Sequence, residues 1–104
     1  MTLEQQIQQA EKHLKNLRAR LAQVNALRSH FGNEYDTDQT NGNPRYKFIG
    51  YSKDGHKFSL LYETGDSYIE FMDKRNRLPD VDKDYYGIGF IHVRDIKKHF
   101  RRSR

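Results

Sequence analysis

The 104-residue chain contains no cysteine. It can therefore have no disulfide framework, no thiolate zinc site and no sulfur nucleophile, and this fits a reducing compartment. It also lacks any apolar run of membrane-spanning length, and the opening Met1-Thr2-Leu3-Glu4-Gln5-Gln6 has neither the basic nor the apolar segment of an export signal. The expectation is a cytoplasmic protein without a membrane partner. Apolar residues are scarce as well, 35% against 32% charged, with a mean hydropathy of −1.07. Such a chain has room for one small domain and an appendage, not for two cores. Seven tyrosines and six phenylalanines offset the shortage, because each buries a large area.

The usual marks of catalysis are missing too. Histidines stand at 13, 30, 56, 92 and 99 with no two-ligand spacing beside a third donor, and there is neither a Ser-His-Asp arrangement nor a glycine-rich phosphate loop. All five histidines are read as surface or edge residues. Pro79-Asp80 with Asp95-Ile96-Lys97 has the bare letters of a metal-dependent nuclease, but the second carboxylate and the lysine fall on a predicted helix where that chemistry wants a strand. Asp36 and Asp38 begin a calcium-loop spacing that fails at Asn41, where glycine is required, and at Lys47, where glutamate is. The expectation is a protein that is not an enzyme, with no catalytic residues, metal or cofactor.

What is present begins with a heptad. Leu3, Ile7, Ala10, Leu14, Leu17, Leu21 and Val24 recur at alternating steps of four and three, the 3.5-residue repeat of a coiled-coil seam. Thr2 with Gln5 forms a capping-box pattern and Gly32 a left-handed stop, so residues 1–31 are predicted to be one helix. A stripe this narrow needs a cover. An antiparallel second copy centred near Leu14 to Leu17 would bring Glu11 to Arg18 twice, and these seven residues are the predicted oligomerisation seam. Packing on the chain's own domain is the alternative. Small Ala10 and charged Arg28, at the last a position, mark the seam as short.

Residues 32–45 are almost without apolar side chains and are predicted to be a polar linker. Within 46–104, Tyr46 to Tyr51, His56 to Glu63 and Ser67 to Asp73 are rich in aromatic and β-branched residues and are joined by turns carrying Asp54-Gly55 and Thr64-Gly65-Asp66. They predict an antiparallel meander with His56, Phe58, Leu60 and Tyr62 on the core face. Lys74 to Asp84 reads as a surface loop, Tyr85 to Val93 as a fourth strand, and a helix is predicted from Val93 or Arg94 that covers the sheet with Val93, Ile96 and Phe100. The fold class is α+β: a long amphipathic helix, then a sheet of three to four strands with a C-terminal helix.

Tyr86-Gly87-Ile88-Gly89-Phe90-Ile91-His92-Val93 resembles the inner-strand RNA-contact signature of the RNA-recognition motif, in which aromatics stack on bases. Ile88 stands where that family has a stacking aromatic and Tyr86 where it has Lys or Arg. No helix follows the first strand, so the fold does not transfer, and Phe90 is read as core.

Charge is unevenly placed. Segments 1–31, 32–45, 46–74, 75–90 and 91–104 carry net charges of +3, −2, −1, 0 and +5 within an overall +5. On a helical wheel Arg94, Lys97, Lys98, Arg101 and Arg102 share one flank, and Lys74, Arg75 and Arg77 join them if their loop lies nearby. A positive end on a chain with a neutral middle selects an anionic partner. The expected function is a small basic nucleic-acid-binding accessory or regulatory protein, DNA ahead of RNA, dimerised through its N-terminal helix. The alternative is a protein partner: an inhibitor or adaptor of mobile-element or viral type, acting on a nucleic-acid-processing protein.

Overall fold

A computed structural model describes residues 1–32, 34–38 and 44–103, with only the backbone at 36–38. Helix α1 spans Leu3–Phe31 and begins and ends where its caps place it. Thr2 Oγ1 accepts from the Gln5 N–H at 3.2 Å, Gln5 Oε1 accepts from the Thr2 N–H at 2.9 Å, and Gly32 turns left-handed at φ 73°. These bonds satisfy backbone groups that the helix itself cannot pair.

The rest is one antiparallel sheet. Strands β1 (Glu34–Asp38), β2 (Arg45–Ser52), β3 (Lys57–Glu63), β4 (Tyr68–Met72) and β5 (Ile88–His92) lie side by side in chain order. A last two-residue strand, β6 (Phe100–Arg101), pairs with Tyr51 and Ser52 beyond the end of β1. Both short turns use the glycines the sequence offers, Gly55 at φ 90° and Gly65 at φ 89°. The meander and its core face are as the alternation predicts, with Phe58, Leu60 and Tyr62 buried.

Three expectations are corrected. Residues 34–38, placed in a polar linker, form strand β1, because an edge strand on β2 needs backbone pairing more than apolar side chains. The calcium-loop residue Asn41 lies outside the described residues. The loop after β4 is not only surface: Leu78 and Val81 enter the core. There Asp73 accepts from the N–H groups of Arg77 and Leu78 at 2.8 Å and from Lys83 Nζ at 2.9 Å, which folds the loop around a buried ion pair. Finally, the C-terminal helix is only a turn of 3-10 helix, Val93–Asp95, and a turn of α-helix, α2 (Ile96–His99), before the chain straightens into β6.

One face of the sheet carries the core. Val24, Leu27 and Phe31 of α1 pack there with Ile96 and Phe100. Phe100 is the hub, its ring 5.9 Å from Phe31, 5.7 Å from Phe58 and 6.3 Å from Phe71. Gly50 on β2 makes this approach possible, since a Cβ there would lie 2.8 Å from Leu60 Cδ1 and 2.9 Å from Phe31 Cε1. His30 joins the core, with Nε2 3.0 Å from the Phe100 carbonyl oxygen, and so departs from the surface placement expected for all five histidines.

The basic end and two unpartnered faces

The predicted cations do not share one helical flank, because the helix stops at His99. Arg94 is on the 3-10 turn, Lys97 and Lys98 are on α2, Arg101 is on β6 and Arg102 follows it; all five are exposed. Arg101 stacks over the Tyr51 ring at 5.3 Å, and Arg102 donates to Ser29 Oγ at 3.4 Å. Among the described residues none of the five is ion-paired to a carboxylate.

Three of these elements meet around His30. Burial holds its imidazole below the ordinary value; the Phe100 carbonyl works against this, while Lys97, Arg102 and Lys53 add to it. Among the described residues, the charged groups that act on this ring are these three cations. Lys53 comes from the β2–β3 turn and was not among the predicted residues; only the fold brings it beside a helix twenty residues earlier in the chain. The neutral imidazole donates its Nε2 hydrogen to the carbonyl, since a carbonyl oxygen can only accept.

The second predicted group splits. Lys74, Arg75 and Arg77 line a shallow depression with Lys57, and all are exposed. Arg77 Nη1 lies 2.9 Å from His56 Nδ1, and His56 Nε2 lies 3.4 Å from Asp54, so Arg77 is engaged with the same β2–β3 turn that carries Lys53. Asp80, Asp95 and Lys97 lie on the loop, the 3-10 turn and α2 respectively, and no group of three or more His, Asp or Glu among the described residues is placed to hold a metal ion.

The seam divides at one point. Leu3, Ile7, Leu14, Leu17 and Leu21 are 45–73% exposed, and Ala10 is exposed as well, whereas Val24 is 2% exposed. Val24 is therefore corrected from the oligomerisation seam to the chain's own core: the sheet covers the stripe from that residue onward. Arg28 closes it, holding Glu34 of β1 and lying 5.1 Å over the Tyr46 ring. Arg20 passes 3.6 Å from where a Cβ on Gly65 would stand, so α1 leaves the sheet at the β3–β4 turn and its earlier residues project. The register centred near Leu14 to Leu17 would set Ile7 of a mate opposite Val24, which the chain's own sheet already covers.

The far side of the sheet is the second unpartnered face. Here Phe90 is corrected from core to surface: it is 54% exposed, since the neighbouring Gly89 and Ile91 take the inward positions. Met72 at 53%, Tyr68 at 48% and Tyr35 at 38% are exposed with it, and Ile49, Leu61 and Ile88 are half-buried between them. An antiparallel sheet open to water on one side usually alternates to polar residues there; this one does so only in part, with Arg45, Lys47, Ser59, Glu63 and Glu70 set among the apolar side chains.

No helix among the described residues is long and apolar enough to cross a membrane. Comparisons with protein-family models, curated proteins and solved structures return no match.

Proposed function

We propose that this is a non-enzymatic nucleic-acid-binding accessory protein that acts as a dimer through its N-terminal helix, with the basic end as its phosphate contact. The supporting observation is that Lys53, Lys97 and Arg102 all act on His30, Arg102 also reaching Ser29, with no carboxylate among the described residues of the group. Arg101 on Tyr51 extends it. Cations drawn from three elements at one end of a small body neutralise neighbouring phosphates, and each neutralised phosphate releases condensed counterions. Duplex DNA is the first candidate, since such contacts position a protein on a backbone without reading bases.

The test is fluorescence anisotropy with short labelled duplex DNA and with single-stranded DNA and RNA across a salt series. Four to six neutralised phosphates give a log–log slope of about −3 to −6. Lys53→Gln, Lys97→Gln and Arg102→Gln should each reduce the slope by about 1 and weaken every sequence alike. A slope near zero, or no binding at low salt, rejects the reading. The second reading, a protein-binding inhibitor or adaptor, draws support from the exposed Tyr35, Tyr68, Met72 and Phe90 on the open face of the sheet, and recovery of one stoichiometric protein after nuclease treatment would favour it.

A further inference from the structure

The chain presents two surfaces that lack opposite things: an apolar helix stripe with no sheet beneath it, and a sheet face of mixed character, bearing Tyr35, Tyr68, Met72 and Phe90, with no helix upon it. We infer that they cover each other between two copies of this chain, each projecting helix lying across the open sheet face of its mate. This rests on the dimer half of the proposed function and specifies its geometry.

The stripe is already a sheet-packing surface. Val24, Leu27 and Phe31 lie on the chain's own sheet, and Leu3 to Leu21 continue the same line on the same side of the helix. Past the β3–β4 turn the stripe therefore faces the plane in which the sheet would continue. A second copy set there with its sheet in that plane and its open face turned toward the helix receives the stripe. A two-fold axis lying in the sheet plane near the turn then brings the mate's helix under the first copy's open face. The contact is isologous and closes at two copies. Lengths agree: the stripe from Leu3 to Leu21 is about 27 Å, and β2 and β3, of 8 and 7 residues, are about 25 Å long.

Area favours this pairing over helix on helix. Taking about 200 Å² for a large side chain, the exposed parts of Leu3, Ile7, Leu14, Leu17 and Leu21 offer roughly 550 Å² per chain. Two helices meeting through these side chains alone thus cover roughly 1,100 Å² of apolar surface. Tyr35, Tyr68, Met72 and Phe90 add roughly 400 Å² per chain on the same basis, and the reciprocal arrangement reaches roughly 1,900 Å². Nucleic acid fits the Phe90 and Tyr68 end of this face less well, because Glu63, Asp66 and Glu70 stand there against the single cation Arg45.

The chain's lack of cysteine allows a direct test. Single-cysteine chains L14C and M72C, mixed and treated with a short bismaleimide, should yield the L14C–M72C pair several-fold over the L14C self-pair. In parallel, Met72→Lys and Phe90→Lys should lower the size-exclusion mass from dimer toward monomer as Leu14→Asp does, with circular dichroism unchanged. Dominant L14C self-pairing, with mass indifferent to the sheet substitutions, overturns the geometry and leaves a helix-to-helix dimer. A monomer at every concentration overturns the dimer as well. Loss of nucleic-acid binding in Met72→Lys and Phe90→Lys without loss of mass assigns the face to nucleic acid and also overturns the proposal. Salt-dependent binding in Lys97→Gln is read separately, so failure here does not decide the phosphate contact.

Discussion

Asp73 is the residue on which the longest loop of the body depends. Its side chain is 1% exposed and that of Lys83 10%, and Lys83 Nζ also donates to the Leu78 carbonyl at 2.7 Å and to Asn76 Oδ1 at 2.5 Å. Burial by itself would raise the Asp73 carboxyl, but Lys83 and the two backbone N–H groups outweigh it and hold the group below the ordinary carboxylate range. Asp73→Ala leaves both N–H groups without their acceptor and the ammonium without its counter-charge, and should cost about 3 kcal/mol in urea unfolding. Asp73→Asn keeps one acceptor and should lose less. Nothing in the sequence separated Asp73 from the acidic residues around it, because its role depends on being enclosed by a loop that folds back ten residues later.

Helix α1 was the most legible element, because its period, its capping box and its closing glycine all act within a few residues of one another. The meander was nearly as clear, since alternation and Asp-Gly turns are local signals as well. Strand β1 and the shortness of α2 were not legible. β1 is held by pairing with β2 across residues of little apolar character. α2 gives way because Phe100 contributes more as the hub of the aromatic core, next to a β2 edge that β1 leaves open, than as another helical turn. Likewise the heptad reported an apolar stripe, but its division between core and open seam at Val24 depends on where the sheet ends. That division carries a prediction. Replacing Leu14 and Leu17 together by Gln removes apolar surface that the monomer does not bury, so unfolding of the body should change by less than about 0.5 kcal/mol, while the apparent mass falls toward monomer.

The whole molecule is elongated, with extents of 57 × 31 × 24 Å and a Cα radius of gyration of 16.5 Å, against about 13 Å for a compact chain of this length. Its pH response should fall into two windows. His30 is held below its ordinary value, first by burial, so the unfolded chain takes up this proton more readily than the folded one. Its contribution to stability is complete above about pH 6.5 and is lost as pH falls through the lowered folded value. The depressed carboxyl of Asp73 acts later: its contribution is present above the ordinary carboxylate range and disappears as pH drops through its own lower value. Urea midpoints followed from pH 8 to pH 3 should therefore decline in two steps, and His30→Gln should remove the first. Phosphate bound at Lys53, Lys97 and Arg102 would offset the cations around His30 and shift that first step to higher pH, which histidine NMR with short DNA can follow. The position of Phe100 has a consequence for biosynthesis. Rings contributed at residues 31, 58 and 71 all wait for one made much later, so a ribosome must release nearly the entire body before its interior can close. Until then the growing chain exposes its aromatics, and chaperones that bind nascent chains have their longest access to this protein just before Phe100 emerges.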